Sequence, residues 1–86
     1  MTDFTINARA AALALRELFD PTPLQLNDHL SQRYGAEIYL KREDLTPVRS
    51  YKLRGAFNAM RKAIATGQTS FVCASAGNHA QGVAYA

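Results

Sequence analysis

The chain has 86 residues, 48% of them hydrophobic and 20% charged, with a net charge of +3. That is enough for one small domain burying roughly 60–65% of its unfolded surface, and it excludes a disordered chain. The positive balance does not make a nucleic-acid binder, because the cations alternate with Glu37, Glu43 and Asp44 and form no run longer than two; a groove that attracts small anions explains it equally well.

In chain order, Asp3 precedes any lysine or arginine, unlike a secretory signal. The alanine- and leucine-rich stretch 6–19 predicts a helix with Thr5 or Asn7 as its cap. Its most apolar run, Ala10 to Leu15, is far too short to cross a bilayer, so no membrane partner is expected. Asp20-Pro21-Thr22-Pro23 must break this helix. Leu24 and Leu26 alternate with Gln25 as in a short strand, and Asn27 to Tyr34 predicts a second helix closed by Gly35. His29 on it is a surface residue rather than a ligand, since no partner stands at metal spacing, and no metal is expected. Glu37 to Lys41 alternates around Ile38 and Leu40 and predicts a strand. Arg42 to Arg49 is a charged loop interrupted by Pro47.

Ser50-Tyr51-Lys52-Leu53-Arg54-Gly55-Ala56 opens a helix that runs to about Thr66-Gly67. At about 100° per residue, Leu53, Ala56, Phe57, Met60 and Ile64 share an apolar face, while Arg54, Asn58, Arg61 and Lys62 fall on the side facing water. Lys52 projects instead beside Ala56, Ala59 and Ala63. With Ser50 as N-cap, Lys52 lies in the first turn, where the helix dipole and partial burial both favour a neutral amine. A neutral lysine is what Schiff-base chemistry needs. Read alone, the same residue is an ordinary lysine snorkelling at a helix end.

Ser70 to Ala74 predicts a short apolar strand, in which Cys73 reads as buried filler. Cys73 is the single cysteine, so an internal disulfide is impossible and a cytoplasmic setting is favoured. The strand runs into Ser75-Ala76-Gly77-Asn78-His79-Ala80-Gln81-Gly82, and Asn78 to Ala86 starts another helix. Gly77 permits close backbone approach, the helix start offers free N–H groups, and Ser75 and Asn78 add donors. The loop lacks the lysine of a P-loop and the glycine spacing of a dinucleotide fingerprint, so a carboxylate suits it better than a triphosphate. Alternation of strands and helices predicts an α/β fold with a parallel sheet flanked by helices. The pattern stops inside a helix with too few elements to cover both sheet faces, which predicts an N-terminal piece of a longer protein.

Taken together, Lys41-Arg42-Glu43-Asp44-Leu45, Ser50 to Ala56 and Ser75 to Gly82 resemble the threonine dehydratase (threonine ammonia-lyase) family. These are pyridoxal-phosphate-dependent enzymes of fold type II, with a tryptophan synthase β-like fold. The resemblance runs from about Thr22 to the last residue, with three motifs in the right order. It implies that residues 1–86 are the N-terminal fragment of the catalytic domain, the rest of that domain and any regulatory domain lying further along. Lys52 matches the lysine that carries pyridoxal 5'-phosphate as a Schiff base, and Tyr51 stands beside the pyridine ring. Asn78 matches the asparagine that hydrogen-bonds the cofactor's 3-hydroxyl, and Ser75, Ala76, Gly77, Asn78 and His79 match the loop that grips the substrate carboxylate.

The implied reaction is β-elimination of L-threonine to 2-oxobutanoate and ammonia, as in isoleucine biosynthesis, with the freed Lys52 amine removing the Cα proton. L-Serine dehydratase and serine racemase share this lysine chemistry and are the alternatives within the branch; a non-catalytic binding module with a remnant site is the alternative outside it. Relatives are dimers or tetramers, which implies a homo-oligomer for the full-length protein. The cofactor's phosphate loop and the residue facing its pyridine nitrogen lie beyond these motifs in relatives, so the 86 residues alone are expected to be inactive.

Overall fold

The computed structural model describes residues 2–86. Helix α1 spans Asp3–Leu15 and is capped by Thr2, whose hydroxyl accepts the Thr5 N–H at 3.2 Å. It therefore starts earlier than Thr5 or Asn7 would have set it. It also ends earlier, because Leu18 N–H and Phe19 N–H both return to the Leu15 carbonyl and tighten the chain ahead of Pro21. Strand β1 (Leu24–Leu26) leads into helix α2 (Asp28–Tyr34). Asn27 caps α2 through a 2.8 Å bond from Leu30 N–H, and Gly35 closes it in the left-handed conformation at φ 64°. Strand β2 (Tyr39–Lys41), a short 3-10 turn (Glu43–Leu45), helix α3 (Lys52–Ala65) and helix α4 (Asn78–Tyr85) follow.

The only sheet among the described residues is antiparallel, not the expected parallel one: β1 pairs β2 with Leu24 opposite Lys41 and Leu26 opposite Tyr39. The reason is local. Ser31 Oγ on α2 accepts the Ile38 N–H at 2.9 Å, and Asn27 N–H reaches the Ile38 carbonyl at 2.8 Å. The excursion through α2 thus returns to the end at which β1 left, and β2 runs back alongside it. Ser70 to Ala74 forms no strand. No described strand runs beside it, Val72 is 99% exposed, and Cys73 is exposed rather than buried.

The core lies instead where α3 packs against α1 and α4. Leu53 is fully buried, with Leu15 and Ala56 beside it. Ile64, at the far end of the predicted apolar face, stays exposed. So do Phe4 and Leu13 on α1. The radius of gyration is 15.9 Å, against about 12 Å for a compact domain of this length, so much apolar surface is left open.

Arg54 does not face water as its helical position predicted. Its guanidinium bonds both carboxylate oxygens of Glu43, through Nε to Oε1 and through Nη2 to Oε2 at 3.0 Å. It also lies over the Phe19 ring, 5.2 Å from the centroid. Thr22, itself buried, donates to Glu43 Oε2 at 2.5 Å, and its carbonyl accepts from Lys41 Nζ at 2.7 Å. The Glu43 carboxylate thereby joins Thr22 to α3, and Lys41 ties the end of β2 to the same threonine.

The Arg54 hydrogen bonds hold the Glu43 carboxyl at about 2, well below its ordinary value of 4.5, with Thr22 and Lys41 adding to the effect. A depressed folded-state value means that this contribution to stability is complete above about pH 4.5 and is lost as pH falls from there towards 2. Chemical denaturation of wild type and Glu43→Gln across that window should show the stability gap closing as the pH drops; a gap independent of pH would contradict the pairing.

Candidate active site

Lys52 is the first residue of α3. Tyr51, not Ser50, occupies the cap position, with helical backbone (φ −75°, ψ −13°) and no capping side-chain bond. Ser50 is unavailable because its backbone is already engaged: Thr46 Oγ1 accepts the Ser50 N–H at 3.0 Å and donates to the Ser50 carbonyl at 2.6 Å. Between them Arg49 adopts φ 64°, a left-handed conformation costing a residue other than glycine on the order of 1 kcal/mol. Ser50 Oγ is buried and has no partner among the described residues. Lys52 itself is half-buried, and its Nζ lies 5.1 Å from the centroid of the Tyr51 ring, which is exposed.

Helix α4 is seated on this same point. Gly82 is buried, and a Cβ there would fall 3.1 Å from Leu53 N, 3.2 Å from the Lys52 carbonyl carbon and 3.3 Å from Leu53 Cα. All three are backbone atoms, so a side chain at this position would have to push the two helices apart by a few tenths of an ångström. One turn before it, α4 begins at Asn78 after Gly77, again without a side-chain cap. Ser75 Oγ accepts the Gly77 N–H at 3.3 Å, and Ser75, Ala76, Gly77, Asn78 and His79 are all exposed. Among the described residues no hydrogen bond joins this loop to Lys52. What links them is the packing of α4 on α3 at Gly82.

The helix starts differ by role. Helices α1 and α2 are capped by Thr2 and Asn27, whereas α3 and α4 have neither a capping side chain nor an acidic residue in the first turn. Their N–H groups keep an uncancelled partial positive charge, which favours an anion. An amine beside an aromatic face, with an amide, a hydroxyl and an uncapped helix start in an exposed loop, is a donor set whose chemistry fits an aldehyde at the amine and a small anion such as an amino-acid carboxylate at the loop. No group of metal-ligating side chains occurs among the described residues, and no described helix is long and apolar enough to cross a membrane.

Comparison with known proteins defines the class. The profile of the family "Pyridoxal-phosphate dependent enzyme" matches residues 15–86, and the chain belongs to that family. Over 85 residues it is 55% identical to the L-threonine dehydratase biosynthetic IlvA of Mycobacterium leprae, covering 94% of this chain and 19% of that protein. The proteins of the same name from Staphylococcus aureus and Staphylococcus saprophyticus are 55% and 57% identical over 76 residues, covering 87% of this chain and 18% of each. The chain thus spans about a fifth of the length of these relatives.

Sequence reasoning missed the residues that hold the site in place. The helical angle of Arg54 points to solvent, and nothing in spacing pairs it with Glu43, eleven positions earlier. Thr46 carried no motif of its own. Gly82 did leave a signal, since a glycine inside a helix costs about 1 kcal/mol and implies close packing. Gly82→Ala should lower stability by about 1–3 kcal/mol through overpacking. The readout is a lower denaturant midpoint with unchanged slope; a wild-type midpoint would mean that α4 is not seated on Lys52 and Leu53.

Proposed function

We propose that residues 1–86 are the N-terminal part of the catalytic domain of a pyridoxal-phosphate-dependent L-threonine dehydratase, forming 2-oxobutanoate and ammonia. The observation that carries this reading is the seating of Gly82 on the Lys52–Leu53 backbone, which sets an amine-bearing helix start against a second, uncapped one. The relatives named L-threonine dehydratase support the choice of substrate. Lys52 would hold the cofactor covalently, with Tyr51 beside its ring and Asn78 at its hydroxyl. Ser75 to His79 would bind the substrate carboxylate through loop donors and the α4 helix start.

When bound, pyridoxal phosphate supplies a sink for the electron pair left at the substrate Cα. Once the substrate amine has displaced it, the freed Lys52 Nζ would take the Cα proton. The carboxylate grip fixes which Cα bond is presented to that amine. Loss of the β-hydroxyl and hydrolysis of the released product complete the dehydration. Cytoplasmic residence and assembly into a homo-oligomer belong to the same proposal.

The test is 2-oxo acid release by the full-length protein loaded with pyridoxal phosphate, with L-threonine compared with L-serine. Faster turnover of threonine, lost in Lys52→Ala, is expected, and the isolated 86-residue chain should release nothing. Turnover of serine alone, or interconversion of its enantiomers, would replace this reading with a serine dehydratase or racemase; undiminished activity in Lys52→Ala would end it.

A further inference from the structure

The segment Glu43–Thr46 touches both flanks of Lys52. On the upstream side, Thr46 Oγ1 holds the N–H and the carbonyl of Ser50, two residues before the lysine. On the downstream side, Glu43 holds the guanidinium of Arg54, two residues after it. The two grips are mechanically one, because Thr46 closes the 3-10 turn that starts at Glu43, through its N–H to the Glu43 carbonyl at 3.4 Å. Thr46 is only 3% exposed. Glu43 is anchored in turn by Thr22, whose carbonyl is held by Lys41 at the end of β2.

Neither grip is needed to start α3 as a helix. Tyr51 already has helical backbone, and Leu53, the second residue of the helix, is fully buried. What they fix is the position of one residue, and they do so against the cost of a left-handed Arg49. Strain kept in place by two hydrogen bonds to one buried hydroxyl is a feature of sites where geometry matters more than local stability.

We propose that Thr46 and Glu43 are positioning residues for Lys52: one holds the backbone of Ser50 before the amine and the other the side chain of Arg54 after it, and together they set where it stands in the site. The inference rests on Lys52 being the cofactor-bearing residue. A misplacement of about 1 Å costs on the order of 100-fold in rate in a positioned site.

The test uses the full-length protein in four forms: wild type, Thr46→Val, Thr46→Ser and Lys52→Ala. Pyridoxal phosphate affinity is read by absorbance titration, and kcat and KM for L-threonine are read separately. Thr46→Val is expected to weaken cofactor binding by about tenfold or more and to lower kcat more than it changes KM. Thr46→Ser, which keeps the hydroxyl, should restore both. If Thr46→Val does not fold, Glu43→Gln serves in its place and should show the same loss. Wild-type affinity and kcat in the folded variant, or failure of serine to rescue, would overturn the clamp while leaving the role of Lys52 intact. Covalent cofactor retained in Lys52→Ala would overturn the underlying reading and the clamp with it.

Discussion

The carboxylate of Glu43 is the constraint on which the arrangement depends. It takes two bonds from Arg54 and one from the buried Thr22, so three parts of the chain with no other strong reason to meet are tied at one point. The pair is partly sheltered, with side-chain exposures of 20% for Glu43 and 29% for Arg54. Shelter of this degree makes the attraction stronger than that of a surface ion pair and makes loss of either partner costly, since the other would be left uncompensated. The Phe19 ring adds an apolar wall on which two guanidiniums rest, Arg54 at 5.2 Å and Arg16 at 5.4 Å. By comparison the Arg42–Asp44 pair is open to water, and it only decorates the same loop.

From that point the site follows by short steps. Arg54 ties the first turn of α3 to Glu43, that turn carries Lys52, and Leu53 beside it is the most deeply buried large side chain among the described residues. Gly82 then allows α4 to sit on the Lys52–Leu53 backbone, carrying Ser75 to His79 with it. Helices α1 and α2 are capped by side chains, and α3 and α4, which pack on each other, are not. At those helix starts no acidic side chain opposes the positive end of the helix dipole.

Features set within a few residues were legible in the sequence. Asn27 and Gly35 mark the ends of α2 by the chemistry of caps, and the alternation at Leu24–Leu26 and around Leu40 marks both strands. The three motifs gave the family, which residues 15–86 match. Properties that depend on neighbours far away in the chain were not legible. The antiparallel pairing goes with two bonds of Ile38, to Ser31 and to Asn27, and a helical wheel has no means of finding them. Ser70 to Ala74 has strand composition but no partner strand among the described residues, so composition alone misjudged both its pairing and the exposure of Cys73. Ser50 has the chemistry of a cap, yet Thr46 had already claimed its backbone.

The central claim is that Lys52 carries the cofactor, and its location can be read directly. The full-length protein, loaded with pyridoxal phosphate, would be reduced with borohydride, cleaved and analysed by mass spectrometry. The account predicts a single pyridoxyl label on the peptide containing Ser50-Tyr51-Lys52. A label on Lys41 or Lys62 instead, or a labelled residue outside this chain, would contradict it.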